Sequence, residues 1–97
     1  MLLGGTSEAR PATPEIQEIA DKVRPQLEEK TNEKYEKFEA VEYKTQVVSG
    51  LNYFIKIDVG NGCYIHVRVY RGLSGKDNFE LHGYQTNKNK DDELIYF

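Results

Sequence analysis

The spacing of apolar residues in this 97-residue chain changes once, near Phe38, and that change most constrains the fold. Before it, apolar residues recur every three or four positions, as on one face of a helix. After it, they alternate with polar residues, as in half-buried strands. One helix followed by a run of antiparallel strands predicts an α+β fold in which the helix covers one face of the sheet. At this length, we expect residues 1–97 to form a single domain.

The predicted helix begins at Thr13-Pro14-Glu15, where a capping threonine, a first-turn proline and an acidic residue follow one another. Residues 1–12 before it are expected to be irregular. An interior proline, Pro25, costs about 3 kcal/mol, but the apolar period continues past it. We therefore predict one kinked helix that extends to about Lys34. Its apolar stripe comprises Ile16, Ile19, Ala20, Val23 and Leu27.

The alternating region predicts strands that are separated by short turns. The tripeptide Gly60-Asn61-Gly62 is typical of a type I′ hairpin turn, and residues 71–78 have the composition of a loop. The polar run 85–93 is interpreted as a connection, and residues 94–97 as a candidate last strand.

The segment Gln46-Val47-Val48-Ser49-Gly50 lies between two alternating runs and is interpreted as a hairpin tip. Most hairpin tips are polar because they face water. This tip carries two β-branched apolar residues instead. An apolar tip on a small protein indicates a surface that another molecule covers, although an ordinary, slightly apolar hairpin is an equal alternative from the pattern alone.

Composition excludes several classes of function. The net charge of -3 and the isoelectric point of about 5.4 argue against binding to a phosphate backbone, which requires clustered basic residues. No apolar run approaches the length of a membrane span. Met1-Leu2-Leu3 is too short for a signal-peptide core. The single cysteine, Cys63, cannot close an intramolecular disulfide, so we expect a reducing, cytoplasmic setting.

The sequence offers no convincing catalytic or metal site. Cys63 and His66 are three positions apart in a predicted strand, so their side chains are expected on opposite faces. His66 and His82 lack further ligands at zinc-binding spacing and are interpreted as sheet-surface histidines. The seven tyrosines lack the basic groove of a nucleic-acid platform. We therefore predict no enzyme activity, no metal and no cofactor.

A resemblance to the stefins, the intracellular type 1 cystatins, extends nearly from end to end. Segment 46–50 resembles their QVVAG loop, with Ser49 in place of alanine. The N-terminal half is more similar to stefin A than to stefin B, since Leu3 stands where stefin B has a cysteine. The other matching segments are Gly4, Ala12-Thr13-Pro14-Glu15-Ile16, Gln26-Leu27-Glu28-Glu29-Lys30, Asn52-Tyr53, Ile55-Lys56, Tyr84-Gln85-Thr86-Asn87-Lys88 and Asp92-Glu93-Leu94.

The resemblance implies a cystatin fold, in which a five-stranded antiparallel sheet wraps around the kinked helix. It also implies reversible, tight-binding inhibition of papain-like cysteine proteases such as cathepsins L, S, H and B. Three elements would form a wedge that fills the protease cleft. By the resemblance, the contacting residues are Met1, Leu2, Leu3 and Gly4, then Gln46, Val47, Val48, Ser49 and Gly50, and lastly Leu73 and Ser74.

Two departures from the stefin pattern fall within these elements. Ser49 adds a hydroxyl to the tip, and Ser74 replaces the proline that usually follows leucine in the third element. We therefore expect weaker inhibition than that of a typical stefin. The alternatives are a non-inhibitory assembly module, in which a monomer exchanges strands to form a domain-swapped dimer, and an engineered binding scaffold on the same fold.

Overall fold

The computed structural model describes residues 8–72 and 78–97. It contains one helix, α1 (Pro14–Thr31), and a five-stranded antiparallel sheet in the order β1-β2-β3-β4-β5. The predicted α+β architecture is confirmed. Within the described residues, no helix is both long and apolar enough to cross a bilayer. The strands are β1 (Arg10–Pro11), β2 (Glu39–Val48), β3 (Gly50–Gly60), β4 (Cys63–Arg71) and β5 (Phe79–Lys88).

Helix α1 begins as its sequence predicts and continues through Pro25. The Thr13 hydroxyl accepts a hydrogen bond from the Ile16 amide at 3.3 Å, and Pro14 occupies the first turn. The helix ends at Thr31, three residues before the predicted end at Lys34. Asn32 adopts a left-handed conformation with φ of 59° and closes the helix as its C-cap.

The main core lies between α1 and the sheet. The five apolar helix residues of the predicted stripe are all buried. They pack against inward-facing residues of the strands, including Tyr53, Ile55, Ile57, Ile65, Val67, Val69 and Leu81. The predicted turn between β3 and β4 is also confirmed, since Asn61 and Gly62 have φ of 57° and 75°, as a type I′ turn requires.

The fifth strand is not the one that the sequence indicated. Arg10–Pro11 lies in the segment predicted to be irregular, but it pairs with Tyr43 and Glu42 of β2. Residues 94–97 form no strand, and β5 extends to Lys88, into the run interpreted as a connection.

Residues 89–97 instead cover the outer face of the sheet, away from α1. Lys56 donates a hydrogen bond to the Lys90 carbonyl at 2.8 Å, and Arg68 donates to the carbonyl of Phe97. The Phe97 ring packs edge-on against Phe54 with centroids 5.6 Å apart. The segment is therefore held by side chains of β3 and β4 rather than by backbone pairing with a strand. The alternation of apolar and polar residues does not predict an attachment of this kind.

This cover buries residues that an open sheet face would expose. Phe54 and His66 have no exposed surface, and Leu94 and Lys56 are 1% and 4% exposed. Lys56 is paired with Glu42 at 3.2 Å. The interpretation of His66 as a surface histidine was therefore wrong, because the C-terminal segment shields its face. Cys63, the first residue of β4, is exposed.

Candidate functional site

The connection at the apolar hairpin tip is shorter than the five-residue segment 46–50 that the sequence indicated. Strands β2 and β3 pair up to Val48 and Gly50, so Ser49 alone joins them. The side chain of Val47 is the most exposed large apolar group among the described residues, at 73%, and Val48 is 40% exposed. The end of this hairpin thus exposes two β-branched apolar side chains to solvent, and such side chains are restricted at χ1.

Gly50 is required at this turn for two reasons. Its φ of +115° is a backbone conformation that residues with a side chain rarely adopt, and an added Cβ would lie 2.4 Å from the Arg71 carbonyl oxygen. The backbone of the tip therefore approaches the end of β4 more closely than any other residue type permits.

Gln46 lies at the base of the tip rather than on its outer surface. Its side chain is buried, with 6% exposure. Its Oε1 accepts a hydrogen bond from the side-chain amide of Asn52, Nδ2, at 3.0 Å across the hairpin. Gln46 therefore fixes the last strand pairings before the turn, whereas the two valines form the accessible part.

Tyr70 of β4 contacts the tip from the neighbouring strand. Its hydroxyl donates a hydrogen bond to the Ser49 carbonyl. Its ring stacks on His82 of β5, with centroids 5.0 Å apart and an interplanar angle of 15°. From the sequence, this tyrosine was considered only as one of seven that lack a basic groove, and no role at the tip was assigned to it. No local pattern indicates its place beside the tip, because the β3–β4 register shifts between Asp58 and Gly60, and this shift brings Tyr70 opposite Asn52.

Strand directions bring three parts of the chain to the same end of the sheet. Strand β2 runs toward the tip, and β1 is antiparallel to it, so Glu8 lies on the tip side of Arg10. Strand β4 also runs toward the tip and ends with Arg71 opposite Leu51. Strand β5 leaves from that end at Phe79, the partner of Arg71. The predicted site residues Met1, Leu2, Leu3, Gly4, Leu73 and Ser74 lie outside the described residues.

The described residues at this end of the sheet include no candidate metal site. Within residues 8–72 and 78–97, no group of three or more histidine, cysteine, aspartate or glutamate side chains could hold a metal ion. The groups with perturbed pKa values lie elsewhere. Asp58, for example, has its pKa lowered by the Gly60 amide and Lys37, at the opposite end of the sheet. The tip itself presents an apolar surface, formed by Val47 and Val48 at the end of the β2–β3 hairpin.

Comparison with known proteins shows similarity along the whole chain. The model of the Cystatin domain matches residues 4–91. Stefin-1 of Mus musculus is 73% identical over 97 residues, which cover 100% of both chains. Cystatin-A of Mus musculus is 70% identical over 97 residues, and Cystatin-A of Homo sapiens is 62% identical over 98 residues, again with 100% of both chains covered. The similarity thus includes the helix, the sheet and the tip.

Proposed function

Because this chain belongs to the cystatin family and resembles stefin A along its length, we propose that it is a reversible, competitive, tight-binding inhibitor of papain-like cysteine proteases. The observation that carries the proposal is the exposed apolar pair Val47 and Val48 on a one-residue turn. Exposed apolar surface on a rigid element is typical of a docking site.

The proposed wedge has three elements. The N-terminal segment Met1-Leu2-Leu3-Gly4 enters one side of the cleft, tip segment 46–50 enters the centre, and Leu73-Ser74 enters the other side. The shared end of the sheet supports this assignment, because the described residues next to all three elements converge there. Gln46 and Gly50 act through the shape of the tip, and Val47, Val48 and Ser49 make the contacts.

Resistance to cleavage follows from where the chain turns. A protease cuts only when its nucleophile lies about 3–3.5 Å from a carbonyl carbon in the correct orientation. Leu2 and Leu3 are suited to apolar substrate subsites, and Gly4 lets the chain turn away before a peptide bond reaches that position. The inhibitor therefore occupies the cleft as a substrate does and is released uncleaved.

The proposed partners are papain-like enzymes, including cathepsins L, S, H and B. The proposal includes neither enzyme activity nor a cofactor. We propose a cytoplasmic protein in which residues 1–97 act as one stefin-like domain and as a monomer. The exposed thiol of Cys63 is suited to a reducing compartment.

The decisive experiment is titration of active papain with the purified monomer, with hydrolysis of a fluorogenic peptide as the signal. We expect stoichiometric loss of activity, and mass spectrometry should show the inhibitor intact after dissociation. Removal of residues 1–3 should raise the inhibition constant. An absence of inhibition at micromolar concentration would refute the proposed function, and a truncation without effect would refute the N-terminal part of the wedge.

A matched pair of substitutions tests the tip. Val48 and Val41 both belong to β2, and both are 40% exposed, but Val41 lies about 20 Å farther along the strand. Val48→Ser should weaken inhibition at least tenfold, since it removes a buried apolar contact from the complex. Val41→Ser should leave the inhibition constant unchanged. Equal effects of the two substitutions would exclude the tip as the contact surface.

A further inference from the structure

Tyr70 contacts both the turn of the β2–β3 hairpin and strand β5, which follows residues 73–77. Its hydroxyl donates to the Ser49 carbonyl at the turn of the first hairpin. Its ring lies 3.6 Å from the position that a Cβ would take at Gly72, the last described residue before Leu73. Its other contact, His82, belongs to β5 on the far side of residues 73–77.

The ring of Tyr70 is held from β5 by a short series of contacts. The His82 imidazole stacks on it nearly in parallel, and the Glu80 carboxylate lies 3.4 Å from Nε2 of that imidazole. The guanidinium of Arg68 donates to the His82 carbonyl at 3.3 Å. His82 lies where the β4–β5 register shifts between Arg68 and Val69, so an extra residue in β5 aims its imidazole at Tyr70.

The close approach at Gly50 belongs to the same arrangement. A Cβ at Gly50 would lie 3.0 Å from the Tyr70 hydroxyl as well as 2.4 Å from the Arg71 carbonyl. The turn therefore rests directly against the end of β4. The phenol supplies a hydrogen-bond donor to the turn carbonyl of Ser49, and a tyrosine side chain loses little conformational entropy when it is fixed.

We propose that Tyr70, supported by His82, is a positioning residue that pre-organises the hairpin tip for protease binding. This inference rests on the proposed function. By fixing the Ser49 carbonyl, Tyr70 holds Val47 and Val48 in their docking orientation before the protease arrives. A tip that is ordered in advance loses less entropy on association, and the gain is expected mainly in the dissociation rate.

The test compares two substitutions that each remove one phenol hydroxyl from β4. Tyr70→Phe removes the hydrogen bond to Ser49 and keeps the ring on His82. Tyr64→Phe is the matched control, since Tyr64 lies on the same strand face about 20 Å away. Amide order parameters for Val48, Ser49 and Gly50 in the free protein report the order of the tip. Dissociation rate constants with papain report the functional effect.

We expect Tyr70→Phe to lower the order parameters at the tip and to raise the dissociation rate about fivefold, as loss of one net hydrogen bond predicts. Tyr64→Phe should change neither quantity. His82→Ala should have the same effect as Tyr70→Phe. His82→Phe keeps a ring that can stack on Tyr70, so it should return the order parameters and the dissociation rate to those of the unmodified protein. This rescue separates positioning from a loss of general stability.

The outcomes distinguish this inference from the proposed function. If the unmodified protein inhibits papain and Tyr70→Phe leaves the dissociation rate unchanged, the positioning role is overturned and the inhibitory function remains. If both tyrosine variants weaken binding equally, the effect is not specific to the tip, and the inference is also overturned. If the unmodified protein does not inhibit papain, the proposed function fails, and the inference fails with it.

Discussion

Gln17 and Gln26 lie on opposite sides of α1, and each side-chain amide pairs with two backbone groups of a different strand segment. Gln17 donates to the Phe38 carbonyl at 3.0 Å and accepts from the Ala40 amide at 2.8 Å, at the start of β2. Gln26 donates to the Phe79 carbonyl at 3.2 Å and accepts from the Leu81 amide at 3.0 Å, at the start of β5. Nine residues at 100° each place the two amides about half a turn apart, on either side of the apolar stripe.

The Gln26 pair satisfies backbone groups on an edge strand that no further strand covers in the described sheet. Gln26→Leu would leave the Leu81 amide and the Phe79 carbonyl without this partner beside a buried side chain. We expect a loss of about 1–3 kcal/mol in the free energy of unfolding. Urea unfolding at neutral pH measures it through the shift of the midpoint at unchanged slope.

Glu18→Leu provides the control for this substitution, because Glu18 is exposed on the same helix. It should change the unfolding free energy by less than about 0.5 kcal/mol. Equal midpoints for Gln26→Leu and the unmodified protein would show that the amide pair contributes nothing to stability.

Features encoded by neighbouring residues were predictable from the sequence. Thr13 and Pro14 start α1 through contacts within one turn, and Asn61-Gly62 fixes a hairpin through its own dihedral angles. The end of α1 was misplaced because charged residues beyond Thr31 continue to favour a helix, and only the left-handed cap at Asn32 ends it.

Features that depend on distant contacts were not predictable. Burial of His66 requires the C-terminal segment to fold back over β3 and β4, and nothing in the local pattern of residues 89–97 indicates this. At the tip, the exposure of Val47 and Val48 followed from the position of segment 46–50 between two alternating runs. The role of Tyr70 required the β4–β5 register, including the shift beside Arg68. Single-sequence periodicity does not encode such a shift.

Because His66 is fully buried on the outer face of the sheet, we expect the stability of the protein to be sensitive to acid. Burial lowers the pKa of His66 to about 4, and the nearby charges of Lys56 and Lys88 act in the same direction, whereas Asp92 and Glu42 oppose them. Among the described residues, neither ring nitrogen has a hydrogen-bond partner. Protonation would therefore place a positive charge in a site closed to solvent, beside the buried Lys56.

The sign of the pH effect follows from this lowered pKa. The unfolded chain binds the proton near pH 6.5 and the folded protein only near pH 4. The contribution of His66 to stability is therefore complete above pH 6.5, and it is lost as the pH falls from 6.5 toward 4. Between about pH 7.5 and about pH 4.5, we expect a loss of roughly 2–3 kcal/mol from this residue.

Urea unfolding at both pH values measures this loss, with His66→Leu as the test variant. Between the two pH values, the free energy of unfolding should fall less in His66→Leu than in the unmodified protein, and the difference should be roughly 2–3 kcal/mol. His82→Leu removes the other histidine, which lies outside the buried cluster, and should keep the original difference. Identical pH dependence of His66→Leu and the unmodified protein would disprove the role of His66.

The two departures from the stefin pattern predict that inhibition can be strengthened. Ser49 is exposed at the tip, and its hydroxyl would be desolvated in a protease complex at a cost of about 1–3 kcal/mol if it finds no partner. Ser49→Ala keeps the carbonyl that Tyr70 contacts and should lower the inhibition constant roughly tenfold.

Ser74→Pro, in the part of the chain outside the described residues, should lower the inhibition constant further by restricting the unbound backbone. Thr86→Ala removes an exposed hydroxyl far from the tip and serves as the control. Papain titrations of the three variants decide the matter. Unchanged constants for both serine substitutions would mean that neither departure tunes binding.

The single-residue connection between β2 and β3 predicts strand exchange. If Ser49 and Gly50 straighten, β2 and β3 become one continuous strand, and two chains can exchange their β1-α1-β2 portions to form a domain-swapped dimer. The tip disappears in such a dimer, so the dimer should not inhibit papain. Gel filtration after heating close to the midpoint of unfolding should reveal it as a minor species.

Gly50→Ala should increase the swapped fraction. The added Cβ collides with the Arg71 carbonyl only while the turn is closed, and the positive φ of the turn disfavours alanine. Gly62→Ala is the matched control, because Gly62 also has a positive φ but has open space around it, in the other hairpin. All variants should carry Cys63→Ser, which excludes dimers linked through the exposed thiol. Elution of Gly50→Ala solely as a monomer after heating would rule out exchange through this turn, whereas a dimer that still inhibits papain would mean that the chains associate without opening the tip.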